Sequence, residues 1–65
     1  MRSKDRIAPF LDEVRKVWET QLTDMRFGQL MSNLESYAQN NYGRDLFYME
    51  EDELLDLLKE FVKNN

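Results

Sequence analysis

From Phe27 onward the apolar residues stand at Phe27, Leu30, Met31, Leu34, Tyr37 and Ala38, offsets of 0, 3, 4, 7, 10 and 11. That spacing lines one face of a helix. In a chain of 65 residues no other feature limits the fold as strongly. A continuous apolar stripe has to be covered, so this helix becomes the spine of a small helical domain. We expect an all-α fold, a small three-helix bundle, with residues 1–65 forming one domain.

The first helix is expected at about residues 6–21. Its stripe is Ile7, Phe10, Leu11, Val14, Val17, Trp18 and Leu22, again at steps of 3 and 4. Ser3 or Asp5 can cap it, and Pro9 belongs in the first turn, where a missing N–H costs least. The second helix is placed at about 25–39, capped by Thr23 or Asp24. Gly28 lies in its first turns and is read as a point of close backbone approach to another helix. The run Gln39-Asn40-Asn41-Tyr42-Gly43 closes it, because Asn and Gly tolerate the left-handed conformation. The third helix is expected at about 51–63, with Leu54, Leu57, Leu58 and Phe61 as its stripe, widened by Leu55 and Val62. Glu50, Glu51, Asp52 and Glu53 stand at its positive end and Lys59 and Lys63 toward its negative end. Lys63, Asn64 and Asn65 should fray.

Between the second and third helices Leu46, Phe47, Tyr48 and Met49 follow one another directly, too apolar a run for an ordinary connection. We expect an ordered apolar loop before the third helix. If it is extended, successive side chains point opposite ways. Leu46 with Tyr48, or Phe47 with Met49, would then anchor in the core while the other pair stays exposed. The alternative is that all four plug one end of the bundle.

Several functional classes find no support. There is no Cys and no His, so thiolate chemistry, imidazole bases and the commonest metal ligand are missing. Glu50–Glu53 lacks the alternating ligand spacing and Gly of a calcium loop. Gly28 and Gly43 are the only glycines, which leaves no phosphate-cradling loop. Ser32 and Ser36 sit on the polar face of the second helix without a partner base. We expect no enzyme, no catalytic residues, no cofactor and no metal. No apolar run approaches the roughly 20 residues of a membrane span, and Arg2, Lys4 and Arg6 have no apolar segment behind them as a signal peptide requires. The expectation is a soluble, cytoplasmic protein that is a monomer or weak homodimer.

Charge is uneven along the chain. Residues 1–16 hold Arg2, Lys4, Arg6, Arg15 and Lys16 against Asp5, Asp12 and Glu13, a balance of +2, while residues 45–60 hold seven acids against Lys59, a balance of −6. Opposite charges on neighbouring elements can pack together, or the acidic part can face a basic partner. Nucleic acid is not the expected partner. The net charge is −4, the last helix is acidic, and the connection before it is longer than in a helix-turn-helix.

Candidate partner-binding residues are Arg26, Tyr42, Arg44, Phe47 and Tyr48. Tyr and Arg are enriched at binding hot spots, and loops on rigid scaffolds often carry function. Arg26 is a cation at the positive end of the second helix, where Asp24 or the Glu50–Glu53 cluster could offset it. Trp18 and Met31 are in phase with their stripes and are read as core, while Met25, Met31 and Met49 could also line an adaptable groove.

Arg6-Ile7, Trp18, the run Asp24–Leu30, Asn33-Leu34 and the run Asp45–Leu54 resemble short uncharacterised bacterial and phage proteins. More distantly, the Trp18 to Leu34 portion is similar to the YihD-type family, whose function is unknown. Such sequences commonly carry a Pro before the Asp, where this chain has Thr23. The resemblance implies a small helical protein and transfers no catalytic residues. The function these readings favour is a non-catalytic protein-interaction module, a bacterial or phage accessory or regulatory factor. The alternative is a nucleic-acid-associated protein that uses the basic N-terminal helix.

Overall fold

The computed structural model describes residues 2–64. Three helices are present, α1 (Ile7–Gln21), α2 (Phe27–Tyr42) and α3 (Glu51–Asn64), and two single 3₁₀ turns, Lys4–Arg6 and Leu46–Tyr48, complete the regular structure. The all-α three-helix bundle expected from the stripes is the fold.

The core is Val14 and Leu22 from α1 and the residue after it, Leu30, Leu34 and Ala38 from α2, and Leu57, Leu58 and Phe61 from α3. Leu30, Leu34 and Leu58 are the largest side chains to lose contact with solvent completely. Each such burial contributes about 1.5–3 kcal/mol, a large share of the total for so small a domain. The division of labour differs from expectation. α2 supplies the most deeply buried residues, but α3 is the hub, packing on α1 on one side and on α2 on the other. Ile7, Leu11 and Phe27, all on the sequence stripes, are 45%, 55% and 53% exposed. The stripes are wider than the faces α3 can cover.

The N-terminus of α1 matches its reading in part: Ser3 caps the 3₁₀ turn that leads into α1, while the N-cap of α1 itself is Arg6, which makes no side-chain cap hydrogen bond. Ser3 Oγ accepts the Asp5 N–H at 3.1 Å and opens the first 3₁₀ turn. Pro9 falls in the first turn of α1.

The start of α2 does not. Thr23 Oγ donates to the Glu19 carbonyl at 2.9 Å, so it finishes α1 rather than capping α2. The Trp18 indole N–H donates to the Met25 carbonyl at 2.8 Å, which ties the link between the helices to α1. The N-cap of α2 is therefore Arg26, in extended conformation, and not Thr23 or Asp24. Its side chain cannot accept a hydrogen bond. Instead Gln29 Oε1 accepts the Arg26 backbone N–H at 2.8 Å, the reciprocal half of a capping box. Trp18 is half-buried against the core, as read, and its ring lies 5.6 Å from that of Phe27.

α2 runs to Tyr42, three residues past its expected end. It stops at Gly43, whose φ of 61° is left-handed and whose N–H reaches the Gln39 carbonyl at 3.0 Å. Gly28 is not a close approach: a Cβ built there meets nothing within 4 Å. Lys63 and Asn64, expected to fray, continue α3, and the Asn64 side chain donates to the Tyr37 hydroxyl at 3.2 Å. Asn65 lies outside the described residues.

Candidate functional site

The connection from Gly43 to Glu50 is built by short-range hydrogen bonds. Asp45 Oδ1 accepts the Phe47 N–H at 3.0 Å and caps the 3₁₀ turn Leu46–Tyr48. The Met49 N–H closes the turn on the Leu46 carbonyl at 3.0 Å. Glu35 of α2 reaches across and accepts the Leu46 N–H at 3.0 Å. In a 3₁₀ turn residues three apart share a face, so Leu46 and Met49 both turn inward and pack against the core. Phe47 and Tyr48 both turn outward, 83% and 76% exposed. Both expected pairings, Leu46 with Tyr48 and Phe47 with Met49, are wrong because they assumed extended backbone. The plug of four core residues is wrong as well.

Phe47 and Tyr48 pack edge to face, ring centroids 5.0 Å apart. Two aromatic rings held that way lose little further freedom on binding, while the ring faces outside their mutual contact and the Tyr48 hydroxyl stay open.

Tyr42 and Arg44 flank the preceding turn and reach α3. The Tyr42 hydroxyl donates to the Glu60 carboxylate at 2.6 Å. That hydrogen bond, with burial and the nearby negative charge, raises the Tyr42 pKa above its usual value. Arg44 Nη1 donates to Glu53 Oε2 at 2.7 Å, which, together with the Glu50 backbone N–H, holds the Glu53 carboxyl below its usual range.

The structure thus brings together four of the five candidate residues. Arg26 stands apart, at the other end of α2, a helix of 16 residues and so about 24 Å long. It is exposed and forms no ion pair among the described residues. The expected partnership with Asp24 or with Glu50–Glu53 is absent: Asp24 forms no ion pair among the described residues, and three acids of the cluster are used elsewhere. Glu50 takes Arg2, Glu51 takes Arg6 at 2.6 Å and Glu53 takes Arg44. Glu50 is held below the usual carboxyl range by its hydrogen bonds from Arg2. The basic N-terminal segment and the acidic start of α3 therefore neutralise each other. Arg15 and Lys16 also lie beside Glu19 and Glu13.

A groove of about 310 Å³ lies beside the turn, lined in part by Ala38, Met49 and Leu57. Of the three methionines read as able to line a groove, Met49 lines it and Met25 and Met31 do not. Its outer wall on α3 is Glu53, Asp56 and Glu60. Their spacing of 3 and 4 is visible in the sequence as an acidic helical edge, distinct from the contiguous Glu50–Glu53 run. Among the described residues no group of three carboxylates gathers to hold a metal ion, and no helix is long and apolar enough to cross a membrane. No family model, curated protein or solved structure matches the chain.

Proposed function

We propose that the protein is a non-catalytic protein-interaction module, an accessory or regulatory factor, whose contact surface is the turn between α2 and α3. The observation that carries this reading is the outward display of Phe47 and Tyr48 on a turn fixed from below by Leu46, Met49 and the Glu35 carboxylate. Exposing two adjacent large rings is unfavourable for an isolated small domain. A turn with four directed hydrogen bonds, the fourth from the Tyr48 N–H to the Asp45 carbonyl at 3.1 Å, is not a segment that has simply failed to bury them. Aromatic anchors on a rigid scaffold, with Tyr and Arg beside them, have the composition of a binding hot spot.

A protein partner is favoured over nucleic acid by the ion pairs. Arg2 and Arg6, which a phosphate-binding N-terminal segment would need, are engaged by Glu50 and Glu51.

The test is capture of partner proteins on the immobilised chain, comparing wild type with Phe47→Ala and Tyr48→Ala, with melting temperature measured on each. Loss of a captured protein at unchanged melting temperature supports the reading. Unchanged capture by both variants overturns it.

A further inference from the structure

The groove beside the aromatic turn has the construction of a receptor for one kind of segment. Its floor is apolar: Ala38 is fully buried, Leu57 is 5% exposed, and Met49 is half-buried with a flexible side chain that can adapt to an occupant. Its wall on α3 is acidic, with Glu53, Asp56 and Glu60 at positions 0, 3 and 7 of one helical edge. Opposite stand Arg44 and the neutral phenol of Tyr42. Three carboxylates against one guanidinium leave the groove with a charge of −2.

The rim is also partly committed. Arg44 is tied to Glu53 and Tyr42 to Glu60, which props these side chains in place. Asp56 makes no ion pair or side-chain hydrogen bond among the described residues and is exposed. The Tyr42 hydroxyl that Glu60 accepts from brings no positive charge to the rim. Phe47 and Tyr48 precede Met49 in the chain but turn outward and do not line the groove. The carboxylates along the α3 wall favour a cationic occupant.

We propose that this groove takes a basic segment of a partner protein, with one apolar side chain seated over Ala38 and Leu57 and Lys or Arg side chains paired with Asp56 and Glu60. This deepens the interaction-module reading and rests on it. The charge complementarity selects a basic occupant over an acidic peptide or a nucleic-acid backbone. The apolar floor selects a segment with an anchor over a bare polycation.

The test uses three short synthetic peptides: one rich in Lys and Arg with a single central Leu, the same peptide with that Leu replaced by Ser, and one with Glu in place of every base. Each is titrated into the full chain and followed by backbone amide NMR. The first peptide is expected to shift the amides of Ala38, Met49 and Leu57, with affinity falling as salt rises. Asp56→Lys is expected to weaken it by about tenfold or more, since like charges brought together across an interface cost over 1 kcal/mol. Asp12→Lys on α1 makes the same charge change away from the groove and should weaken binding far less. Both variants replace exposed residues, and their melting temperatures check that they remain folded.

Equal binding of the Ser or Glu peptide overturns the proposal, as do shifts that map elsewhere or equal weakening by the two variants. Concentration-dependent shifts at the groove without peptide also overturn it, by giving the groove to a second copy of the chain. If a captured partner is lost with Phe47→Ala but retained with Asp56→Lys, the interaction module stands and the basic occupant falls.

Discussion

The Glu35 carboxylate accepts the backbone N–H of Leu46 at 3.0 Å, a contact that joins the middle of α2 to the start of the aromatic turn. Its other oxygen accepts from the Gln39 side chain at 3.1 Å, so Glu35 is held in one orientation by its own helix. Glu35→Ala removes a charge-assisted hydrogen bond and should cost about 1 kcal/mol, with faster hydrogen exchange at Leu46 and Phe47. Glu35→Gln keeps an acceptor oxygen and should restore most of the protection. Exchange at these amides that is the same in all three proteins means that the turn does not depend on Glu35.

Core and surface aromatics should separate cleanly in their effects on stability. Leu34 is fully buried between the helices, and Leu34→Ala should cost about 2–5 kcal/mol, enough to unfold much of the population. Phe47→Ala removes a larger side chain that contacts little besides Tyr48, and should change stability by only about 0.5 kcal/mol. Denaturant melts of the two variants test the contrast, and a large loss on Phe47→Ala contradicts the exposed turn.

The glycines should respond with opposite signs. Gly43 sits at φ 61°, where an L side chain is strained by about 1–2 kcal/mol, so Gly43→Ala should lower the melting temperature. Gly28 is in the first turn of α2 with open space around it. Gly28→Ala should raise stability, by up to about 1 kcal/mol, through reduced freedom of the unfolded chain. Thermal melts decide both.

The fold was legible where periodicity decides it. The stripes on residues 7–22 and 27–38 marked two helices, and Leu54, Leu57, Leu58 and Phe61 the third, because burial of one helical face is what stabilises each. Boundaries were less legible. The start of α2 is set by two contacts of the link, Thr23 with Glu19 and Trp18 with Met25. The second of these is tertiary and invisible in local cap preferences. Tyr42, Arg44, Phe47 and Tyr48 were legible as candidates from residue type alone. How they are displayed was not, since exchanging an extended segment for a 3₁₀ turn moves Tyr48 outward and Met49 inward. Asp45 preceding the turn by one residue was the available signal, as an Asp that caps its neighbours' N–H groups. The groove needed the third dimension, because Ala38 and Leu57 meet only in the packed bundle.

The pH dependence of stability should form a plateau with two edges whose causes can be assigned. Glu50 and Glu53 titrate below their ordinary 4.5 in the folded chain, through hydrogen bonds from Arg2 and Arg44. Their stabilisation is present above pH 4.5 and is lost as pH falls through the lower folded values. Tyr42 titrates above its ordinary 10.0, through its hydrogen bond to Glu60. Its stabilisation is present below pH 10.0 and is lost as pH rises through the folded value. Melting temperatures across pH should therefore fall at both ends, with the acid edge shallower in Glu53→Gln and the alkaline edge shallower in Tyr42→Phe. Each edge is modest, because these pairs are exposed to solvent. Ultraviolet difference titration of wild type against Tyr42→Phe isolates the Tyr42 phenolate directly. A missing component that titrates at or below 10.0 would mean that Tyr42 does not donate to Glu60 in solution.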